Sequence, residues 1–294
     1  MLGRVTQQTV QASSLRNLQS NLGRMASLQA QMSSGTKLSL PSDDPSATSE
    51  VMRLNASARQ LDQYSRNASD GTSWLTTIDT ALSSATTSLQ RARDLTVQGG
   101  NGAYGATSRQ ALATEITGIR DDLMKQANTK FLGRTVFAGT SSSGAAFDPT
   151  TYAFNGTTGS SVQRQVGADT QVRVDSDGST VFGSGPGSVF ALLDTIASTL
   201  NAGGDPTSQL GALDSHLASM TNEAASVGSR QRVLDAATAD VTSASQTVKT
   251  QTSGLQDIDL AEVIVQLKSQ EVAYQGALGA TGRVLQPTLM DFLK

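Results

Sequence analysis

Apolar residues recur at coiled-coil spacing near both ends of this chain. Leu15, Leu18, Leu22, Met25 and Met32 follow intervals of 3-4-3-7, and Leu260, Ile264, Leu267, Tyr274, Leu278 and Leu285 follow 4-3-7-4-7. Those are the a and d positions of a heptad seam, and each segment predicts a helix with one apolar stripe. The two seams lie more than 200 residues apart, and neither segment can bury its stripe alone. Residues 1–40 and 255–294 are therefore expected to be largely disordered in a free monomer and to fold on incorporation into an assembly.

Between the seams the pattern stays helical, with one interruption. Positions 61, 64, 68, 71, 75, 78, 82, 85, 89 and 92 read Leu, Tyr, Ala, Gly, Leu, Ile, Leu, Ala, Leu, Ala, alternating steps of 3 and 4. A helix starting at Ser46 and ending near Gln98 satisfies it. Leu112, Ile116, Ile119 and Leu123 mark a returning helix, and Val189, Leu192, Ile196 and Leu200 a short one. Leu213, Leu217, Met220, Ala224, Val227, Leu234, Val241, Val248 and Leu255 predict a helix about 70 Å long over 210–256. No proline falls in 46–148 or 207–286, and a helix interior would lose roughly 3 kcal/mol to one.

The interruption is residues 141–188. Asn155-Gly156 is a hairpin-turn signal, Val172 and Val174 alternate with polar residues, and Asp175-Ser176-Asp177-Gly178 precedes Val181 and Phe182. Several short strands are expected there. The fold class is thus mainly α: a long antiparallel helical rod, terminal coiled-coil helices and a small β-rich insertion. Five segments follow: 1–45, 46–140, 141–188, 189–256 and 257–294.

Composition narrows the function. Aromatics are 4%, and net charge is −3 with both signs dispersed, so no basic patch points to nucleic acid. With no cysteine, disulfides, thiolate metal sites and cysteine nucleophiles are excluded. No apolar run is long enough for a membrane helix. Met1 to Gln19 carries no apolar core and no small-residue cleavage site, so a cleaved signal peptide is not expected.

Candidate chemistry is sparse. His216 is the sole histidine and reads as a solvated helix residue, not as part of a triad. Asp175-Ser176-Asp177-Gly178 lacks the Glu that a calcium loop needs at its twelfth position, where Pro186 stands. Gly183-Ser184-Gly185-Pro186-Gly187 is not followed by the Gly-Lys-Ser/Thr of a phosphate loop. Asp121 and Asp122 are adjacent carboxylates on a helix, where neighbours do not share a face. Trp74 beside Leu75 reads as core. No catalytic residue, cofactor or metal is expected.

The ordered motifs resemble the flagellin superfamily, over about 1–140 and 210–294. Gln31-Met32-Ser33-Ser34-Gly35-Thr36-Lys37-Leu38 is similar to its LSSGxRI stretch, Ser42-Asp43-Asp44-Pro45 to its SxDD turn, and Asn67-Ala68-Ser69-Asp70-Gly71 to its NAxDG segment. Leu89-Gln90-Arg91-Ala92-Arg93-Asp94-Leu95-Thr96-Val97-Gln98 is similar to LQRxRELxVQ, and the run from Phe131 to Thr140 to FxGxYLFxG. Pro45, Asp259-Leu260-Ala261-Glu262 and Leu289-Met290-Asp291-Phe292-Leu293 resemble the hook–filament junction branch more than flagellin proper.

That resemblance implies a structural, non-enzymatic role outside the bacterial cell, after export through the flagellar type III channel. It implies assembly of the terminal helices into inner coiled-coil tubes, and four partners. These are copies of this chain in a ring, hook-associated protein 1, flagellin, and an export chaperone on the C-terminal segment. Asp43 and Asp44 are read as turn chemistry with subunit contacts. Arg91, Arg93 and Asp94 are read as a solvated face or as axial charge contacts between subunits. The competing readings are flagellin itself, a secreted coiled-coil adhesin, and an enzyme on the insertion. The last would need a His-Glu-x-x-His cluster or paired carboxylates in a cleft.

Overall fold

A computed structural model describes residues 2–38 and 40–284. The order is α1 (Leu2–Ser34), α2 (Pro45–Gly99), α3 (Ala106–Ala127), β1 (Lys130–Phe131), β2 (Arg134–Thr135), β3 (Gln163–Gln165), β4 (Gln171–Arg173), α4 (Gly178–Phe182), α5 (Val189–Asn201), α6 (Leu210–Gln256) and α7 (Leu260–Val284). The fold is mainly α. It forms two compact units, one of 1–59 with 245–294 and one of 60–244.

In the larger unit the core follows the 3-4 stripe of α2. Ala68, Leu75, Ile78, Leu82, Ala85, Leu89 and Ala92 are fully buried, Tyr64 is buried, and Leu61 is half-buried. Leu213, Met220, Val227 and Leu234 of α6 meet them, as do Ile116 and Leu123 of α3. Each fully buried Leu or Ile contributes about 1.5–3 kcal/mol. Arg93 of α2 reaches Asp214 of α6, and Gly71 lies beside Leu234, so these helices run antiparallel. The packing is close there: a Cβ at 71 would sit 3.1 Å from Val174 and 3.2 Å from Leu234, so both side chains would have to give by a few tenths of an ångström.

The segment around Gly71 is also where the middle block docks. Asn67 donates to the carbonyl of Gln165 at 2.7 Å, and Asp70 accepts from Arg164 at 2.7 Å. Trp74, buried as expected, packs edge-on against Phe131 at 5.5 Å, with the Arg134 and Arg164 guanidiniums each 5.8 Å from its ring. Both contacts have cation–π geometry.

The middle block departs from the expected set of strands. Within 141–188 one hairpin forms, β3 with β4, pairing Gln163 with Arg173 and Gln165 with Gln171. Asn155-Gly156 does not turn a hairpin; Phe147 and Phe154 bridge instead across a turn capped by Asp148, which accepts from Thr150 and Thr151 N–H. Val181 and Phe182 lie in α4, because Asp177 caps that helix by accepting from Ser179 N–H at 2.9 Å. A two-residue apolar run does not distinguish a strand from a helical turn. Aromatic packing, not sheet, holds the block: Phe182 lies 5.2 Å from Phe137, 5.8 Å from Phe147 and 6.0 Å from Phe190. These rings belong to the same core cluster as the long helices.

Polar bonds tie the block to its neighbours. The Tyr152 hydroxyl donates to Asp194 of α5 at 2.5 Å, and Arg120 of α3 pairs with the same carboxylate. Buried Asp175 accepts from Arg173 at 2.9 Å and from Val162 N–H at 2.8 Å. Glu223 of α6 takes bonds from Ser176 and Arg230, and Arg230 donates onward to the Asp175 carbonyl at 2.6 Å.

Two stability tests arise here. Leu132 and Gly133 join β1 to β2 with φ of 47° and 79°, the turn that favours Asn-Gly. Leu132 is 80% exposed, so it gains little by burial. Leu132→Asn is expected to raise stability by about 1 kcal/mol, the cost of a left-handed L-residue; a denaturant titration measures it.

The second concerns pH. Burial works against the charge on Asp177, but bonds from the Ser179 hydroxyl and from backbone N–H groups of Gly159, Ser179 and Thr180 outweigh it and hold the carboxyl below its usual range. A pKa lower in the folded state means that the unfolded chain takes up the proton first on acidification. The contribution is therefore complete above the unfolded value of about 3.9 and is lost as pH falls through the folded one. Urea midpoints taken from neutral pH downward should fall less steeply for Asp177→Asn than for the parent chain below about pH 4.

Candidate assembly interface

The smaller unit carries the predicted seams, and they partly cover each other. Thr36 bridges Asp257, and Gln270 donates to Asn21 at 3.1 Å, so α1 and α7 run antiparallel. Gly35 closes α1 with φ of 72°, its N–H reaching Gln31 at 2.8 Å, a left-handed glycine at the helix end. Lys37 N–H donates to Gln256 and Ile258 N–H to Gly35, which stitches the two connectors together. Asp259 starts α7 by accepting from Ala261 and Glu262 N–H at 2.9 and 3.2 Å.

One face of each helix is sheltered. Leu18, Met25 and Met32 of α1 and Leu267 and Tyr274 of α7 are half-buried, and Val263 is buried. The remaining seam positions stay open: Leu15 is 59% exposed, Leu22 43%, Leu260 52%, Ile264 40% and Leu278 45%. Leu285 lies outside the described residues, as does the Leu289–Leu293 motif. The expectation that each end lacks any cover within the chain is thus corrected. Two antiparallel helices shelter half of each stripe, because a two-helix contact can shield only one flank of each cylinder.

Three interface-relevant residues were missed. Val263, which lies off the predicted seam, is the residue of this stretch that is buried within the chain. Val265 and Val272, seven apart, are each 68% exposed and mark a second apolar row on α7, two residues off the seam. Their i, i+7 spacing is the signal that would have found them.

The connector is built as turn chemistry. Asp43 accepts from Leu40 N–H at 2.8 Å. Asp44 accepts from Ser46 and Ala47 N–H at 3.0 and 2.9 Å, an N-cap with Pro45 in the first helical position. Asp44→Ala is expected to cost about 1 kcal/mol, read as a lower denaturation midpoint with an unchanged slope.

Arg91 and Arg93 are engaged inside the chain. Arg91 donates to Glu115 of α3 at 2.8 Å and Arg93 to Asp214 of α6 at 2.6 Å. Hydrogen bonding and the facing charge raise both guanidinium pKa values, and the bond from Arg93 holds Asp214 below its ordinary value. Asp94 is exposed on the same stretch. All these groups are solvated, so the pairs set helix alignment more than stability. Asp121 and Asp122 are exposed and pair with Arg120 and Lys125. His216 is half-buried rather than solvated, and burial lowers its pKa. Its place three after Leu213 and four before Met220 puts it at the edge of the core stripe.

Among the described residues, no cluster of three His, Cys, Asp or Glu could hold a metal ion. No helix among them is long and apolar enough to cross a membrane.

Comparison with known proteins adds to this. Residues 5–142 match the bacterial flagellin N-terminal helical region, and 210–293 match the bacterial flagellin C-terminal helical region. The chain is 33% identical over 182 residues to flagellar hook-associated protein 3 of Salmonella typhimurium, covering 62% of this chain and 57% of that protein. It is 33% identical over 172 residues to the Escherichia coli protein of the same name, covering 58% and 54%. Flagellin A of Vibrio anguillarum is 38% identical over 125 residues, covering 42% of this chain and 33% of that one. The chain thus spans about half the length of the first two relatives.

Among solved structures, a flagellar hook-associated protein from Vibrio parahaemolyticus superposes with a TM-score of 0.69 at 21% identity, covering 73% of this chain and all of that one. FlgL of Bacillus cereus gives 0.60 at 22% identity, covering 68% and 99%. Both likenesses concern the fold. With both helical ends matched to the two halves of one family, around a core that follows the same heptads, the chain belongs to the flagellin superfamily.

Proposed function

We propose that this chain is a structural component of the bacterial flagellum, placed at the junction between the hook-associated ring and the flagellin filament. The carrying observation is the open half of the seam, Leu15, Leu22, Leu260, Ile264 and Leu278, which stays uncovered after α1 and α7 have paired. An apolar flank of that kind on two antiparallel helices is suited to copies of itself stacked around an axis. The ring then meets hook-associated protein 1 on one side and flagellin on the other, and the exposed stripe of α7 takes an export chaperone before assembly. The role is structural, with no catalysis. Residues 1–45 and 257–294 supply the inner layer, 46–140 and 189–256 the helical layer, and 141–188 the outer face.

The second reading, a filament subunit, rests on the higher identity to flagellin A. The longer match to hook-associated protein 3 favours the junction. Deletion of the gene separates them. Loss of a junction leaves complete hooks, no filaments and flagellin spilled into the medium. Loss of a filament subunit leaves bare hooks with no flagellin spilled.

A further inference from the structure

The chain holds two Asn-Gly pairs, Asn101-Gly102 and Asn155-Gly156, each with an exposed asparagine, and the fold treats them differently. Asn101-Gly102 lies in the turn between α2 and α3. Ala103 N–H donates to Asn101 Oδ1 at 3.1 Å, and Tyr104 N–H donates to the Asn101 carbonyl at 3.2 Å. Those two bonds hold the side-chain amide back over its own turn, with the carbonyl oxygen fixed beside the Ala103 N–H. The bond from Ala103 polarises the Cγ carbonyl and is placed to stabilise the oxyanion formed on attack. Nothing lies within 4 Å of a Cβ built at Gly102, so the peptide has room to swing.

Asn155-Gly156 is clamped instead. Asn155 N–H donates to Ala146 at 2.8 Å, its carbonyl accepts from Ser141 at 3.0 Å, and Thr157 N–H donates to Ala138 at 3.2 Å. A Cβ at Gly156 would fall 2.2 Å from the Phe154 ring, so that ring closes the space a rotating peptide needs.

We infer that Asn101 is a site of spontaneous modification, converting to aspartate and isoaspartate through a cyclic imide while Asn155 is protected by the fold. A water-derived base removes the Gly102 amide proton, and the nitrogen forms a bond to Asn101 Cγ. The Cγ–Nδ2 bond breaks, and the nitrogen leaves as ammonia after taking a proton from water. One water then opens the ring, at Cγ to give aspartate or at the backbone carbonyl to give isoaspartate. No electrons are exchanged. The turn gains a negative charge and, in the iso form, an extra methylene in its backbone.

The test is peptide mapping by mass spectrometry of the folded full-length chain, aged at mildly alkaline pH beside a sample held in guanidinium. In the folded chain the Asn101 peptide should gain the mass of an amide-to-acid conversion, with isoaspartate present, while the Asn155 peptide stays an amide. In guanidinium both should convert. Gly102→Ala, which the open space tolerates, should slow conversion at Asn101 by roughly tenfold, about 1.4 kcal/mol of barrier. Conversion at Asn155 as fast as at Asn101 in the folded chain would overturn the inference. So would an Asn101 that stays intact in the folded chain while converting in guanidinium, or a Gly102→Ala chain that ages like the parent.

Discussion

Phe147→Ala is expected to lower the stability of the 60–244 unit by about 3–5 kcal/mol, the range for truncating a buried aromatic. The ring is fully buried, with Phe154, Phe190 and Phe182 at 5.3, 5.4 and 5.8 Å. Its backbone is fixed to the end of α3, where Asn128 accepts from Phe147 N–H at 2.9 Å and donates to its carbonyl at 3.1 Å. Phe182 and Phe190 are held by each other and by Phe137 and Tyr152, which limits their collapse into the gap. A cavity of that size takes a large share of the 5–15 kcal/mol that stabilises a typical domain. Guanidinium unfolding followed by Trp74 fluorescence measures it, since Trp74 belongs to the same core cluster. A loss below about 1 kcal/mol would mean that the middle block does not share the helical core.

The double substitution Leu15→Glu with Leu22→Glu is expected to abolish incorporation while leaving the free chain folded. Both side chains are exposed in the single chain, so the stability of the monomer should move by no more than about 0.5 kcal/mol per site. In a ring each Leu would bury about 1.5–3 kcal/mol, so the pair forfeits about 3–6 kcal/mol per copy before the buried carboxylates are counted. At about 1.4 kcal/mol per decade, affinity for the growing end falls at least a hundredfold. Sedimentation of assembled particles, with circular dichroism of the soluble fraction, reads both quantities. Normal assembly by the double variant would remove this flank from the interface.

Much of the helical architecture was legible because it repeats locally. The 3-4 steps from Leu61 to Ala92 became the buried face of α2, and the helix expected from Ser46 to near Gln98 runs from Pro45 to Gly99. What was not legible depends on partners distant in sequence. Glu115 and Asp214, which occupy Arg91 and Arg93, lie 24 and 121 residues away. Gln270 finds Asn21 across 249 residues. Heptad counting identifies a stripe but not which flank of it another helix will cover, so the burial of Val263, off that stripe, was not foreseen. In the middle block the phenylalanines are too scattered to show a period. Their convergence, not the alternation of valines, decided the local structure, and one asparagine-glycine turn signal was overridden by the pairing of Phe147 with Phe154.

In the proposed ring the outer flank of the α1–α7 pair is covered only by neighbouring copies. The absence of cysteine makes a direct measurement simple. Single cysteines at Leu15, Leu22, Ile264 and Leu278 would each be exposed to a thiol reagent, once in dilute monomer and once in assembled particles, with Leu18→Cys as the sheltered reference. Rapid labelling of all four in the monomer and strong protection in the particle is the expected result. Protection already present in dilute monomer, or undiminished labelling in the particle, would contradict it.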